Sequence, residues 1–178
     1  MSKYWIFDFD GTLVDSENPI KQCYIKVTKA IAPSSLKNAE DILIGPTLQE
    51  TTKLILGSKN SNQYERFITL FKKEYDENLL LETKQYFGVL ETLKSLIQRG
   101  DKLAIATNKR QGATLKLIDH YGWNDYFHWV GCTNEKKEEV RNKNELVTFY
   151  IKNNPQFSEA YFVGDTENDG IAAMQNKL

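Results

Sequence analysis

Only two cysteines occur in 178 residues, Cys23 and Cys132, and they form no C-x-x-C pair. Neither a zinc site nor a disulfide framework is indicated, and such usage fits a reducing compartment. Charge of one sign is also missing: 23 Lys and Arg face 24 Asp and Glu, for a formal net charge of −1. That balance predicts no broad attraction to nucleic acid or to an anionic membrane. Long hydrophobic runs are lacking too. The apolar stretch after Lys3 is too brief for a signal peptide or a membrane span, so a cytoplasmic location is expected. There is no internal repeat and no low-complexity tract, and Lys136-Lys137-Glu138-Glu139 mixes both signs and reads as a solvated loop. With 40% hydrophobic and 26% charged residues, the chain has the make-up of a soluble globular protein. Its length suits one core with a sizeable insertion.

Four short apolar, β-branched or aromatic runs read as buried strands: Tyr4 to Phe7, Leu103 to Ala106, Phe127 to Val130 and Ala160 to Val163. Helical stripes separate them. Val89, Leu90, Leu93, Leu96 and Ile97 form one before Gly100; Leu115, Ile118 and Tyr121 form another before Gly122; Leu146, Val147, Tyr150 and Ile151 form a third, stopped by Pro155. Strands alternating with helices predict an α/β fold, a mainly parallel Rossmann-like sheet with helices on both faces. Ligands of such sheets sit at the carboxyl ends of the strands. The interval from Val14 to about Lys84 carries no strand signal. Ile20, Tyr24, Val27, Thr28 and Ile31 make one helical face, Leu48 to Leu56 a second, and Tyr64, Phe67, Ile68, Phe71 and Tyr75 a third. Residues 1–14 and 85–178 are therefore expected to form the core, and 15–84 an inserted α-helical unit.

The residues just past the strands are chemically pointed. Asp8-Phe9-Asp10-Gly11-Thr12 places two carboxylates two residues apart where the first strand becomes a loop. Alternate residues of a strand share a face, so Asp8 and Asp10 can address one phosphate, one attacking phosphorus and the other moving a proton. Gly11 lets main-chain N–H groups approach an anion closely. Thr107 and Asn108 end the second strand with a hydroxyl and a small polar residue suited to a phosphate oxygen. A cation is needed to offset the charge of the transferring group; Lys143 is the expected one, with Lys136, Lys137 and Lys109 as alternatives. Gly164-Asp165-Thr166-Glu167-Asn168-Asp169 comes directly after the last strand. Asp165 can supply a hard carboxylate oxygen opposite Asp8, and the Asp10 carbonyl a further one, as Mg²⁺ requires. Asp169 is placed to orient Lys143 or a metal-bound water. Three aspartates gathered without a cation would repel strongly.

Together these pieces resemble the haloacid dehalogenase superfamily. Asp8 to Thr12 looks like its first motif, Thr107 its second, Lys143 its third and Gly164 to Asp169 its fourth. Tyr86-Phe87-Gly88-Val89, Thr107-Asn108-Lys109 and Ile171-Ala172-Ala173 are similar to phosphoglycolate-phosphatase-like members, and the insertion resembles the helical type 1 cap. The resemblance implies a Mg²⁺-dependent phosphatase of a small phosphorylated metabolite. In it Asp8 would form an aspartyl-phosphate, and Asp10 would protonate the leaving alcohol and then activate water. The implied set is Asp8, Asp10, Thr107 and Lys143 for catalysis; Phe9, Gly11, Thr12, Thr107, Asn108 and Lys143 for the phosphate; Asp8, Asp10 and Asp165 for the metal; and Asp169 behind them. The cap would close over the site, with Glu17, Asn18 and the loop from Gly45 to Thr47 toward the leaving group. Asn144 comes after Lys143 where the family commonly has proline. Relatives continue beyond the last motif into another strand, so the fourth strand is expected at an uncovered sheet edge.

Two other readings share these residues. A phosphohexose mutase would return the phosphoryl group to a sugar, but no arginine stands near Gly45-Pro46-Thr47-Leu48 to hold one. A non-catalytic sensor of a phosphorylated ligand would have no use for Asp8, Asp10 and Asp165 together. The mechanism needs neither His120 nor His128, and Trp5, Trp123 and Trp129 are expected to pack the core or the helix-strand junctions.

Overall fold

The computed structural model describes residues 2–133 and 142–178. Lys136, Lys137 and the rest of that charge run lie outside the described residues. The chain divides into two compact units, Met1–Asp15 with Gln85–Leu178, and Ser16–Lys84.

In chain order the first unit opens with strands β1 (Tyr4–Phe7) and β2 (Val14–Asp15). The second unit comes next, with helices α1 (Glu17–Ile31), α2 (Leu36–Glu40), α3 (Leu48–Leu56) and α4 (Tyr64–Glu74). The chain then runs through β3 (Lys84–Gln85), α5 (Val89–Gln98), β4 (Lys102–Thr107), α6 (Gln111–His120) and β5 (Phe127–Cys132). It ends with α7 (Lys143–Asn153), β6 (Tyr161–Val163) and α8 (Glu167–Gln175).

The first unit is α/β, with a Rossmann-like parallel sheet in the order β5-β4-β1-β6 and helices packed against it. Register sets Phe7 beside Ile105 on one flank and Val163 on the other. The ends of β1, β4 and β6 thus lie side by side. Alternation along the strands sends Ile6, Ala104 and Ala106 to the face covered by α7, where Leu146, Val147, Tyr150, Phe157 and Ala160 complete a buried cluster. The Tyr150 ring stacks on Trp129 at 4.0 Å and meets Phe157 edge-on at 4.8 Å. Leu103 and Ile105, pointing the other way, are also fully buried.

Two helical stripes are narrower than their periodicity suggests. Leu115 is 46% exposed and Ile97 36% exposed. The buried face of α6 runs through Ala113, Thr114, Leu117 and Ile118, which leaves Leu115 off the inward arc, and α5 buries Leu93 and Leu96. His120 and His128 are exposed, while Trp123 is fully buried.

The second unit contains no strand among the described residues 16–83. Its core is aromatic: Tyr24 on α1 lies 4.4 Å from Phe71 and 6.3 Å from Phe67, both on α4. A capping box starts α3, with Thr47 and Glu50 each bonding the other's backbone N–H. The Asn38 amide donates to the Ile55 carbonyl at 2.9 Å and ties α2 to the end of α3. Among the described residues no helix is long and apolar enough to cross a membrane.

Candidate active site

The first loop is built by its own backbone. The Asp8 N–H donates to the Val163 carbonyl at 2.8 Å, extending the β1–β6 pairing by one residue. Leu13 and Val14 N–H groups both donate to the Phe9 carbonyl, and the Gly11 N–H donates to the Val14 carbonyl, closing a tight turn over residues 9–14. Gly11 holds φ +81°, a left-handed value, and a Cβ there would collide with the Asp165 carboxylate. The Phe9 side chain is fully buried, edge-on to Trp123, so only its backbone stands at the loop.

Carboxylate oxygens of Asp8, Asp165 and Asp169 all lie within 4.8 Å of one another. Asp8 and Asp169 are buried and Asp165 is exposed. Lys143, at the first turn of α7, puts its Nζ 2.9 Å from Asp8 Oδ1 and 2.5 Å from Asp169 Oδ1. Asn142 positions that helix start by accepting the Glu145 N–H at 3.0 Å. Asn144 accepts a bond from Asn176 at 2.8 Å and so links α7 to the end of α8. Asp169 is engaged through both oxygens, since Oδ2 accepts from the Thr166 N–H at 2.9 Å and its hydroxyl at 2.6 Å. A Cβ at Gly164 would strike that same carboxylate.

These charges shape one another. Burial pushes the Asp8 carboxyl up from its ordinary 3.8 to about 6; Lys143 pulls it down without cancelling the rise, and Asp169 adds to it. Burial works against the Lys143 ammonium, yet the carboxylates of Asp8 and Asp169 outweigh it, and its pKa is raised. Asp8 Oδ1 is buried and 2.9 Å from Lys143 Nζ, with no other close polar partner for that oxygen among the described residues. An acceptor position is therefore left over, next to the exposed carboxylate of Asp165. A hard divalent cation fits such an all-oxygen donor set.

Asp10 faces elsewhere. Its Oδ1 and Oδ2 lie 2.9 and 3.2 Å from Lys109 Nζ. Its carboxylate is not part of the three-aspartate cluster. Thr107 is the last residue of β4, and its Oγ1 accepts the Lys109 N–H at 3.1 Å. Asn108 is half-buried beside it. Thr12 Oγ1 donates to Asp165 Oδ1 at 3.2 Å. The expected residues Asp8, Asp165, Asp169 and Lys143 are gathered in one cluster, with Gly11 and Thr12 against Asp165. Two residues were not read from the sequence in their structural setting. Lys109 was a candidate phosphate lysine but contacts Asp10, and its place two residues beyond Thr107 is the signal that points to it. Thr133 donates its N–H to the Thr107 carbonyl, and its buried hydroxyl has no hydrogen-bond partner among the described residues.

The family described as haloacid dehalogenase-like hydrolase matches residues 5–178. A phosphoglycolate phosphatase of Agrobacterium fabrum is 28% identical over 97% of this chain and 76% of its own length. The pyrophosphatase PpaX of Halalkalibacterium halodurans is 24% identical over 92% of this chain and 75% of its own. Among solved structures, a predicted phosphatase from Clostridium acetobutylicum superposes with a TM-score of 0.82 at 23% identity, covering 100% of this chain and 82% of that one.

Proposed function

The chain belongs to the haloacid dehalogenase-like hydrolase family, and from that premise we propose that it is a Mg²⁺-dependent phosphatase of a small phosphorylated metabolite. The observation that carries this reading is the meeting of Asp8, Asp165 and Asp169 with the buried Lys143 at the end of the sheet. Phosphatase names among the relatives, for phosphoglycolate and for pyrophosphate, support the class of reaction.

Asp8 and Asp165 carboxylates with the Asp10 carbonyl would hold Mg²⁺, which supplies positive charge to the phosphoryl oxygens when bound. The Asp8 carboxylate attacks phosphorus, so that an Asp8 O–P bond forms as the ester P–O bond breaks. Asp10 gives its proton to the departing oxygen. Water then attacks the aspartyl-phosphate, Asp10 takes back a proton, and inorganic phosphate leaves with Asp8 restored. Lys143 stands against the attacking carboxylate, where its charge keeps Asp8 ionised and offsets the phosphoryl charge. Asp169 holds that lysine in place. Thr107 spends its acceptor on the Lys109 N–H, which frees its own hydroxyl proton for a phosphate oxygen. Asn108 and the loop from Phe9 to Thr12, whose Gly11 N–H is already bonded to the Val14 carbonyl, complete the phosphate's surroundings.

The test is phosphate release from a panel containing 2-phosphoglycolate, pyrophosphate, sugar phosphates and nucleoside monophosphates, with and without Mg²⁺. Release from at least one member, lost with chelator and lost in Asp8→Asn, is expected. Wild-type protein inert to the whole panel, or turnover that survives Asp8→Asn, counts against the reading.

A further inference from the structure

We propose that Asn176 is a positioning residue for Lys143, holding the first turn of α7 where the phosphoryl-transfer step uses it; this rests on the phosphatase reading of the same site. Lys143 is the first residue of α7, and it carries its ammonium to Asp8 at 2.9 Å and to Asp169 at 2.5 Å. Helix ends fray, because their outermost backbone groups lack partners within the helix. A charge that must stay within ångströms of the attacking carboxylate therefore needs its turn held from outside.

Helix α8 supplies that hold. Asp169, Ala172 and Asn176 follow one another at i, i+3 and i+7, so they share one face and span about 10 Å of the helix axis. Ala172, between the two polar residues, is fully buried, and α7 packs against α8. Asp169 takes the Lys143 ammonium at the start of this face. At its end the Asn176 amide N–H₂ donates to Asn144 Oδ1 at 2.8 Å and to the Ala172 carbonyl at 2.8 Å. Its amide oxygen accepts the Thr148 hydroxyl, one turn further along α7, also at 2.8 Å. One carboxamide thus fastens two consecutive turns of α7 to the end of α8. Both anchors are fixed in their turn: the Asn176 N–H bonds the Ala172 and Ala173 carbonyls at 3.3 and 3.1 Å, and Asp169 is locked by its capping box with Thr166. Placing a charged group in advance removes the search that would otherwise precede transfer.

The experiment compares Asn176→Ala, Asn144→Ala, Lys143→Met and the double variant Asn176→Ala/Lys143→Met. Amide hydrogen exchange of the whole chain, without substrate or metal, reads the N–H groups of Glu145, Leu146 and Val147 against those of Tyr150 and Ile151. The first set is expected to exchange about 10-fold faster in Asn176→Ala and in Asn144→Ala, with the second set little changed. Alanine favours helix more than asparagine does, so faster exchange in Asn144→Ala reports the lost bond rather than propensity. On a phosphoester that the wild type hydrolyses, kcat per folded molecule should fall about 10-fold in Asn176→Ala, with KM little changed. In the Lys143→Met background the same change should alter kcat by about 2-fold or less. Unchanged exchange in both alanine variants overturns the proposal. So does faster exchange with kcat intact, since the clamp would then be structural only, and so does a loss confined to KM or equally large without Lys143. If Asn176→Ala proves unstable, Asn144→Ala carries the same readouts from the other partner of the bond. Wild-type protein inert to every phosphoester would instead sink the proposed function, and the exchange comparison would still decide whether Asn176 orders the start of α7.

Discussion

Asp101 and Asp8 are both buried, both in the first unit and both beside a strand of the same sheet, yet their surroundings drive them in opposite directions. Asp101 precedes β4 and accepts from the Lys3 N–H at 2.9 Å, the Trp5 indole N–H at 3.0 Å and Arg99 at 2.8 Å. The Lys3 N–H contributes most to bringing its carboxyl down to about 2, against the opposing effect of burial and with help from Arg99 and Trp5. Asp8, just beyond the far end of β1, has Lys143 beside it but also a second carboxylate, and burial leaves it near 6. Depth of burial dominates at Asp8 and an aimed backbone donor dominates at Asp101, so the two factors together set the charge of an aspartate here. A fully supplied carboxylate pins the start of β1 to the turn before β4. An under-supplied one retains the capacity to attack phosphorus and to bind a cation.

The largest break in this comparison comes from taking away the cation beside Asp8. Lys143→Met is expected to cut phosphate release by about 10²–10³-fold. It should also cost about 3–5 kcal/mol in urea unfolding, because the buried carboxylates of Asp8 and Asp169 lose the ammonium between them. Removing charge at the other end has the reverse profile. Asp101→Asn keeps one acceptor but turns an amide toward the remaining donors, with an expected loss of about 1–3 kcal/mol by the same measurement. Turnover per folded molecule should not change.

A smaller effect sharpens the contrast through pH. The folded pKa of Asp101 is lowered, so its stabilisation is present above the ordinary value of 3.8 and is lost as pH falls through about 2. The stability gap between wild type and Asp101→Asn should therefore be steady near neutrality and shrink from about pH 4 downward. Asp8 has the opposite sign. Its folded pKa is raised, so its favourable contribution is present below 3.8 and is lost as pH rises through about 6. Without metal, wild type should gain on Asp8→Asn as pH drops from about 6 to about 4. Chemical unfolding across that range measures both gaps, and two gaps that move in the same direction would contradict this contrast in donor supply.

Much of the architecture could be read before any coordinates because local pattern and tertiary environment agree. The runs from Tyr4, Leu103, Phe127 and Ala160 all contain parallel strands, though burial is near-complete only along β4, partial along β1 and β5, and lowest on β6, where Tyr161 is exposed. The stripes around Leu93, Ile118 and Leu146 become helices for the same reason. Helix faces were less legible: Leu115 and Ile97 fit a helical period but sit outside the arc that meets the sheet. At the site, Asp8 and Asp165 stood out because each lies just past a strand, and parallel strands bring their ends together, while Asp169 follows in the first turn of α8. Asp101 gave no such signal, since a residue that only receives hydrogen bonds from groups such as Lys3 and Trp5 has no motif of its own.

Hydrophobic period by itself determined the four strands of the main sheet and most helices, though not the short β2 and β3, and the motif residues carried the resemblance to the family to which the chain belongs. Only the tertiary structure decided which cation serves which carboxylate: Lys143 for Asp8 and Asp169, Lys109 for Asp10. The physical reason is range. A strand or helix is set by neighbours a few residues away, whereas an ion pair depends on ångström-scale distances between groups that the folded chain brings together from far apart in sequence.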